Sequence, residues 1–169
     1  MFKKINTNNT IFRVGNGFDV HKFGPGKGVT LCGVFLPHIL SLVGHSDADV
    51  ALHAITDALL GALAEGDIGE HFPPTDPKWK DVSSDIFLQK AIELMEEKAS
   101  EVVNIDLTII CEVPKIGPFK LKMRQNLSKI FQTPLKNINV KATTSEGLGA
   151  MGRKEGISSH ASVMVRLPV

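Results

Sequence analysis

The chain predicts an α+β fold, an α/β sandwich with one mixed four- to five-stranded sheet and helices packed on one face. Three observations carry this. Strand-like runs and helical periods follow one another as strand, hairpin, helix, helix, strand, helix, strand, strand. Residues 102–113 (VVNIDLTIICEV) are β-branched and apolar, the composition of a buried strand. Residues 159–167 alternate Ala161, Val163 and Val165 against Ser162, Met164 and Arg166, the period of a half-buried strand. Helices on one side leave the other face of the sheet open. A second copy of the chain is expected to cover it, which makes the protein a homo-oligomer.

A chain of 169 residues is the size of one domain and buries enough surface to need no disulfide staples. Residues 1–11 read as a polar N-terminal extension and 12–169 as a single domain. A net charge of +1 gives no general pull toward nucleic acid or a membrane surface, so neither is expected as a partner. No run approaches the roughly 18 apolar residues of a membrane span. Cys32 and Cys111 lie far apart and form no metal-type pair. They read as reduced thiols, which places the protein in a cytoplasmic compartment.

In chain order, residues 12–20 (FRVGNGFDV) read as a strand loosened by Gly15 and Gly17. Asp19 and His21 are two apart and point to one side; Phe18 and Val20 point to the other, toward a core. Asp-Val-His at a strand end is either a two-ligand unit or simply part of the turn that Gly24, Pro25, Gly26 and Gly28 announce. Residues 29–36 (VTLCGVFL) read as a hairpin broken at Gly33, and Pro37 to Gly44 as loop.

A helix is expected from Ser46 to Leu60, with Ser46 or Asp47 as N-cap and Gly61 at its stop. Val50, Ile55, Ala58 and Leu59 form its buried face. Asp49, His53 and Asp57 recur every four residues, a step of roughly 40° about the axis at about 100° per residue. They therefore share one stripe. On the helix alone, that stripe is either a solvated face or a metal ligand with its supporting carboxylates.

Pro73, Pro74 and Pro77 exclude regular structure after His71. A second helix runs from Ser83 or Ser84 to about Ala99, with Phe87, Leu88, Ala91, Ile92, Leu94 and Met95 inward. Pro114 ends the strand that begins at Val102. Lys115 stands just past it, where ligand groups sit in α/β folds. Residues 119–132 read as a helix burying Leu121, Leu127, Ile130 and Phe131, with Lys120, Lys122, Arg124 and Lys129 as surface charge. Residues 138–144 form a strand leading into Ser145-Glu146-Gly147.

Two histidines and one aspartate, His21, His53 and Asp19, make a three-ligand zinc set that leaves a fourth position open, as catalytic zinc requires. Glu146 is a separate oxygen ligand suited to magnesium held mainly by phosphates.

The strings GFDVHKFG, HSDADVALHAITDALLGALAEGDIGEHFPPTDP, DLTIICEVPKIGP and NVKATTSEGLGAMGRKEGI resemble the 2-C-methyl-D-erythritol 2,4-cyclodiphosphate synthases. The match runs from about Arg13 to the C-terminus, with the blocks in that family's order. The resemblance implies a homotrimer with active sites at subunit interfaces. It implies Zn2+ on Asp19, His21 and His53, and Mg2+ or Mn2+ reached by Glu146 together with the diphosphate. His45 and Ser46 match contacts to the substrate's 2-phosphate. His45 and Thr144 match positions credited with stabilising the transition state, and Asp57 matches a carboxylate near the zinc.

Asp67, Ile68, Gly69, Phe72 and Asp76 match the methylerythritol loop. Cys111, Pro114, Lys115, Ile116 and Gly117 match the cytidine diphosphate pocket, as do Ala142, Thr143, Thr144 and Ser145. Arg153 keeps a basic position that the family places toward the trimer axis. The chain departs from the family pattern at Pro74, commonly an acid, and at Ala150, commonly an aromatic residue. The implied reaction cyclises 4-diphosphocytidyl-2-C-methyl-D-erythritol 2-phosphate and releases CMP.

Overall fold

The computed structural model describes residues 9–44, 47–73, 78 and 82–169. Strand β1 (Thr10–Pro25) is followed by the hairpin β2 (Gly28–Leu31) and β3 (Val34–Pro37), then β4 (Leu40–Leu42). Helices α1 (Val50–Leu63), α2 (Ile68–His71) and α3 (Ser84–Glu97) come next. Strand β5 (Glu101–Ile110), helix α4 (Lys120–Ile130), strand β6 (Ile138–Thr143), the short helix α5 (Gly149–Gly152) and strand β7 (Gly156–Pro168) complete the chain.

The main sheet has five strands in the order β4-β1-β7-β5-β6. Its pairings are antiparallel except β5 with β6, which run parallel. This is the mixed sheet the element order predicts. The β2–β3 hairpin stands apart and turns at Cys32 and Gly33, both with positive φ (53° and 69°), as a tight two-residue hairpin demands.

Helix α1 lies across β1 and β7 and is buried on nearly every side. A helix apolar all round belongs in a core, and only His53, Asp57 and Gly61 reach its edge. Its close approach to β1 depends on Gly15 and Gly17. A Cβ at either glycine would overlap carbonyl oxygens of α1, at Ala58 and Ala54 respectively. The small faces of strand and helix thus bring Asp19, His21 and His53 into range of one another.

Several expectations are corrected by packing. Helix α1 begins at Val50, not Ser46, because Ala48 takes a left-handed turn (φ 56°) and Asp49 serves as N-cap. It runs through Gly61 and ends at Ala64, since Ala62 and Leu63 still bury against the sheet. Asp49 is not part of an exposed stripe. It is fully buried: Oδ1 accepts from the N–H groups of Ala51, Leu52 and Cys32, and Oδ2 from Gly33. One carboxylate caps the helix and anchors the hairpin turn.

Phe18 and Val20 do not face the core. They are 59% and 48% exposed and share the open face of β1 with Phe12 and Val14. The loop from Pro37 to Gly44 contains β4, paired to the end of β1. Leu121 is exposed, and Met123 fills the core in its place. Arg124 is a clamp rather than mere surface charge, donating to the carbonyls of Ile138 and Leu135.

Candidate functional site

Asp19 and His21 point to one side of β1, and His53 reaches them from the second turn of α1. Asp19 Oδ2 lies 3.1 Å from His21 Nε2 and 2.9 Å from His53 Nδ1, and the two nitrogens are 3.2 Å apart. A tetrahedral cation with bonds of about 2.0 Å holds its ligands roughly 3.3 Å apart. The triangle therefore fits three ligands of one such ion and leaves a fourth direction open.

The protons favour the same conclusion. His21 Nδ1 stands 3.1 Å from the Val43 carbonyl, which can only accept, so Nδ1 carries the ring hydrogen and Nε2 turns a lone pair inward. A carboxylate oxygen and imidazole lone pairs aimed at one point need a positive charge between them, either a proton or a metal ion. Burial opposes charge on both Asp19 and His21, but their mutual hydrogen bond and attraction outweigh it, with His53 adding to the effect on Asp19. Asp19 is held well below the usual carboxylate range and His21 above its ordinary 6.5.

This sets a pH dependence. In the metal-free protein the His21 contribution is complete below 6.5 and is lost as pH rises through the raised value. A divalent cation must displace the same proton. Zinc is therefore expected to raise the melting temperature more at about pH 8 than at about pH 6. Thermal melts with and without zinc check this; a smaller shift at the higher pH would contradict it.

Asp57 lies one turn beyond His53. It accepts from the Ile68 N–H at 2.8 Å, so its direct role is to hold the start of α2. Burial raises its carboxyl, against the Ile68 hydrogen bond, and the negative charges of Asp67 and Asp19 add to the rise. Asp67 caps α2 through the Glu70 N–H at 2.9 Å, with Ile68 and Gly69 in the first turn. Phe72 is buried and packs on Phe87, with ring centroids 4.6 Å apart. His45, Ser46, Pro74 and Asp76 lie outside the described residues.

A second group gathers where the parallel strands β5 and β6 end side by side. Ligands favour the carboxyl ends of such strands. The Cys111 N–H donates to the Thr143 carbonyl, joining the two loops. Ala142 and Thr143 end β6; Thr144 donates to Glu146 Oε1 at 2.8 Å. Pro114 and Gly117 border the same loop, and Lys115 is exposed beside them. Cys111 and Ile116 turn their side chains into the core. Arg153 is exposed and forks onto Glu155.

Glu112 falls inside the Cys111–Gly117 span that the resemblance marks, but the sequence reading gives it no role of its own. Its Oε1 accepts from the N–H groups of Ser145 and Gly147, and these bonds draw the carboxyl below its usual range. It folds the turn that presents Glu146. An acid just past a strand end, facing a glycine-containing turn, was the available signal.

The family model of the YgbB family matches residues 12–166. The chain belongs to the YgbB family. Relatives in this family agree with that span. A 2-C-methyl-D-erythritol 2,4-cyclodiphosphate synthase of Roseobacter denitrificans is 59% identical over 150 residues, which are 89% of this chain and 94% of that one. A bifunctional enzyme IspD/IspF of Caulobacter vibrioides is 54% identical over 158 residues, 94% of this chain. The chain spans 41% of the length of that bifunctional relative. A solved structure of 2C-methyl-D-erythritol-2,4-cyclodiphosphate synthase in a CDP-bound form has a TM-score of 0.83 at 37% identity, covering 90% of this chain and 99% of that one. Likeness at that level extends the family relationship to the whole α+β architecture.

Proposed function

We propose that this YgbB family chain is a metal-dependent 2-C-methyl-D-erythritol 2,4-cyclodiphosphate synthase, a phosphorus–oxygen lyase of isoprenoid precursor synthesis. One observation carries the reading. Asp19, His21 and His53 converge on a single point in a chain 59% identical to a protein of that name. Two imidazoles and a carboxylate suit Zn2+. Glu146 and the phosphates of the substrate suit Mg2+ or Mn2+. When bound, these ions supply positive charge against the phosphate oxygens.

In the reaction, an oxygen of the substrate's 2-phosphate attacks the β-phosphorus. The bond from that phosphorus to CMP breaks, and CMP leaves with the electron pair. The substrate carries its own nucleophile, so no activated thiol is needed. Burial pushes Cys111 up to about 11 and Cys32 higher than its usual value, which keeps both neutral. The task of the chain is to bend the substrate and offset its charge. Alignment of this kind contributes about 7–11 kcal/mol to a ring closure. Lys115 offers an ammonium group at the β5–β6 crevice, close enough to the Glu112 carboxylate that folds the 145–147 turn for the two charges to attract.

The same reading makes the enzyme a homotrimer with shared sites, built from a single catalytic domain over residues 12–169 and working in the cytoplasm. Among the described residues, no helix is long and apolar enough to cross a membrane. Two features support the assembly. Phe12, Val14, Phe18 and Val20 leave an apolar strip on the open sheet face. Asp19 and Ala142 also share one register row, through Ser159 and Ile109. Three strand spacings separate them, about 14 Å. One bent diphosphate is too short to meet the metal ligands and the Thr144–Glu146 turn of a single subunit. A neighbouring subunit brings the missing half.

The decisive experiment incubates the protein with 4-diphosphocytidyl-2-C-methyl-D-erythritol 2-phosphate, zinc and magnesium, and follows it by phosphorus NMR. Equal amounts of cyclic diphosphate and CMP are expected. Hydrolysis to open-chain products would indicate a zinc phosphodiesterase. CMP binding without turnover would indicate a non-catalytic nucleotide-binding trimer. Glu146→Gln is expected to weaken the magnesium dependence of the rate about tenfold or more while leaving zinc content intact. An unchanged magnesium titration would remove Glu146 from the assignment.

A further inference from the structure

We propose that Ser84, held by Asp47, is a positioning residue that sets the His53 ring for metal binding, an inference that rests on the metal reading above. Ser84 opens α3 and is fully buried. Its Oγ lies 2.8 Å from His53 Nε2 and hydrogen-bonds to Asp47 Oδ1. Asp47 is the collecting point of this corner. It also takes the Ser84 N–H at 3.2 Å, the Ser83 hydroxyl at 3.1 Å and the Asp49 N–H at 3.3 Å.

A hydroxyl has one hydrogen to give. With that hydrogen committed to the Asp47 carboxylate, Ser84 Oγ accepts from His53. His53 Nε2 must then carry the ring hydrogen, and Nδ1 is left with a lone pair toward Asp19 and His21. The reverse direction would place the hydrogen on Nδ1 and turn an N–H toward the cation, which no metal tolerates. His53 and His21 thus use opposite tautomers. Val43 sets one, and the Asp47–Ser84 pair sets the other. Phe87, one turn further along α3, packs on the same ring with centroids 5.9 Å apart. Helix α3 therefore holds His53 at two points, while Asp19 and His21 come from β1.

Partners of this kind typically change metal affinity about 10–100-fold. The test measures zinc affinity by chelator competition for the wild type, Ser84→Ala and Ser83→Ala, together with the visible spectrum of the cobalt-substituted forms. Ser84→Ala is expected to bind zinc about 10–100-fold more weakly and to shift the cobalt bands. Ser83→Ala touches Asp47 but not His53 and is expected to stay within about twofold of wild type. Equal losses in both variants would mean that only the start of α3 had been loosened, and would overturn the proposal. So would wild-type affinity in Ser84→Ala.

A second measurement does not depend on the variant folding. Imidazole proton–nitrogen correlation spectra of the zinc-loaded wild type are expected to show His53 bound through Nδ1 with its hydrogen on Nε2, and His21 the reverse. His53 bound through Nε2 would overturn the proposal. A wild type that takes up no zinc would instead refute the metal reading, and the relay with it.

Discussion

Replacing His53 by alanine is expected to abolish zinc retention and lower the cyclisation rate at least 100-fold, the scale on which charge-stabilising groups act in catalysis. The fold should survive. His53 sits at the edge of α1, and its neighbours Leu52 and Ala54 carry the packing. Alanine removes one of the three groups that meet within 3.2 Å, and Asp19 with His21 alone make a weak two-ligand site. The loss therefore belongs to function rather than stability. Metal analysis of the purified variant, beside a circular dichroism melt of the metal-free protein, separates the two. Full zinc occupancy would show that the ion binds elsewhere.

The second large effect is structural in origin. Gly17→Ala is expected to destabilise the metal-free protein by about 1–3 kcal/mol or more, and to weaken zinc binding as well. The new Cβ would overlap the Ala54 carbonyl oxygen and lie 2.7 Å from the Ala58 nitrogen. Both are helix backbone, so no side chain can swing aside. Helix α1 must lift from β1 and carry His53 away from Asp19, two residues along the same strand. Gly61→Ala is the contrasting case. Its Cβ would meet nothing closer than 3.8 Å, and it stands inside a helix. A gain of about 0.5–1 kcal/mol is expected there. Urea denaturation at one fixed protein concentration compares the two. Wild-type stability and zinc affinity in Gly17→Ala would mean that the strand–helix contact does not set the metal geometry.

Much of the site is legible in the chain because its chemistry is written in residue type. Asp-Val-His on a strand and a histidine on an apolar helix are costly to bury without a purpose, and they do converge. The every-four stripe was half right. His53 and Asp57 occupy the edge of α1, whereas Asp49 caps the helix beneath them. Spacing alone does not separate these roles, because a cap four residues before a helical histidine has the same periodicity as a stripe. Ser84 gave no signal at all, since its partner is 31 positions away and its hydroxyl resembles any helix-capping serine.

The order of the elements, the mixed sheet and the ligand types all follow from local periodicity and from the chemistry of individual side chains. Which face of β1 is interior follows from packing and could not be read from the strand itself. Apolar residues line the outward side, yet the inner side is the one with Gly15 and Gly17. Close packing depends on shape as well as on hydrophobicity. A strand stripped to glycine admits a helix of small residues, and that contact leaves Phe18 and Val20 on the open face.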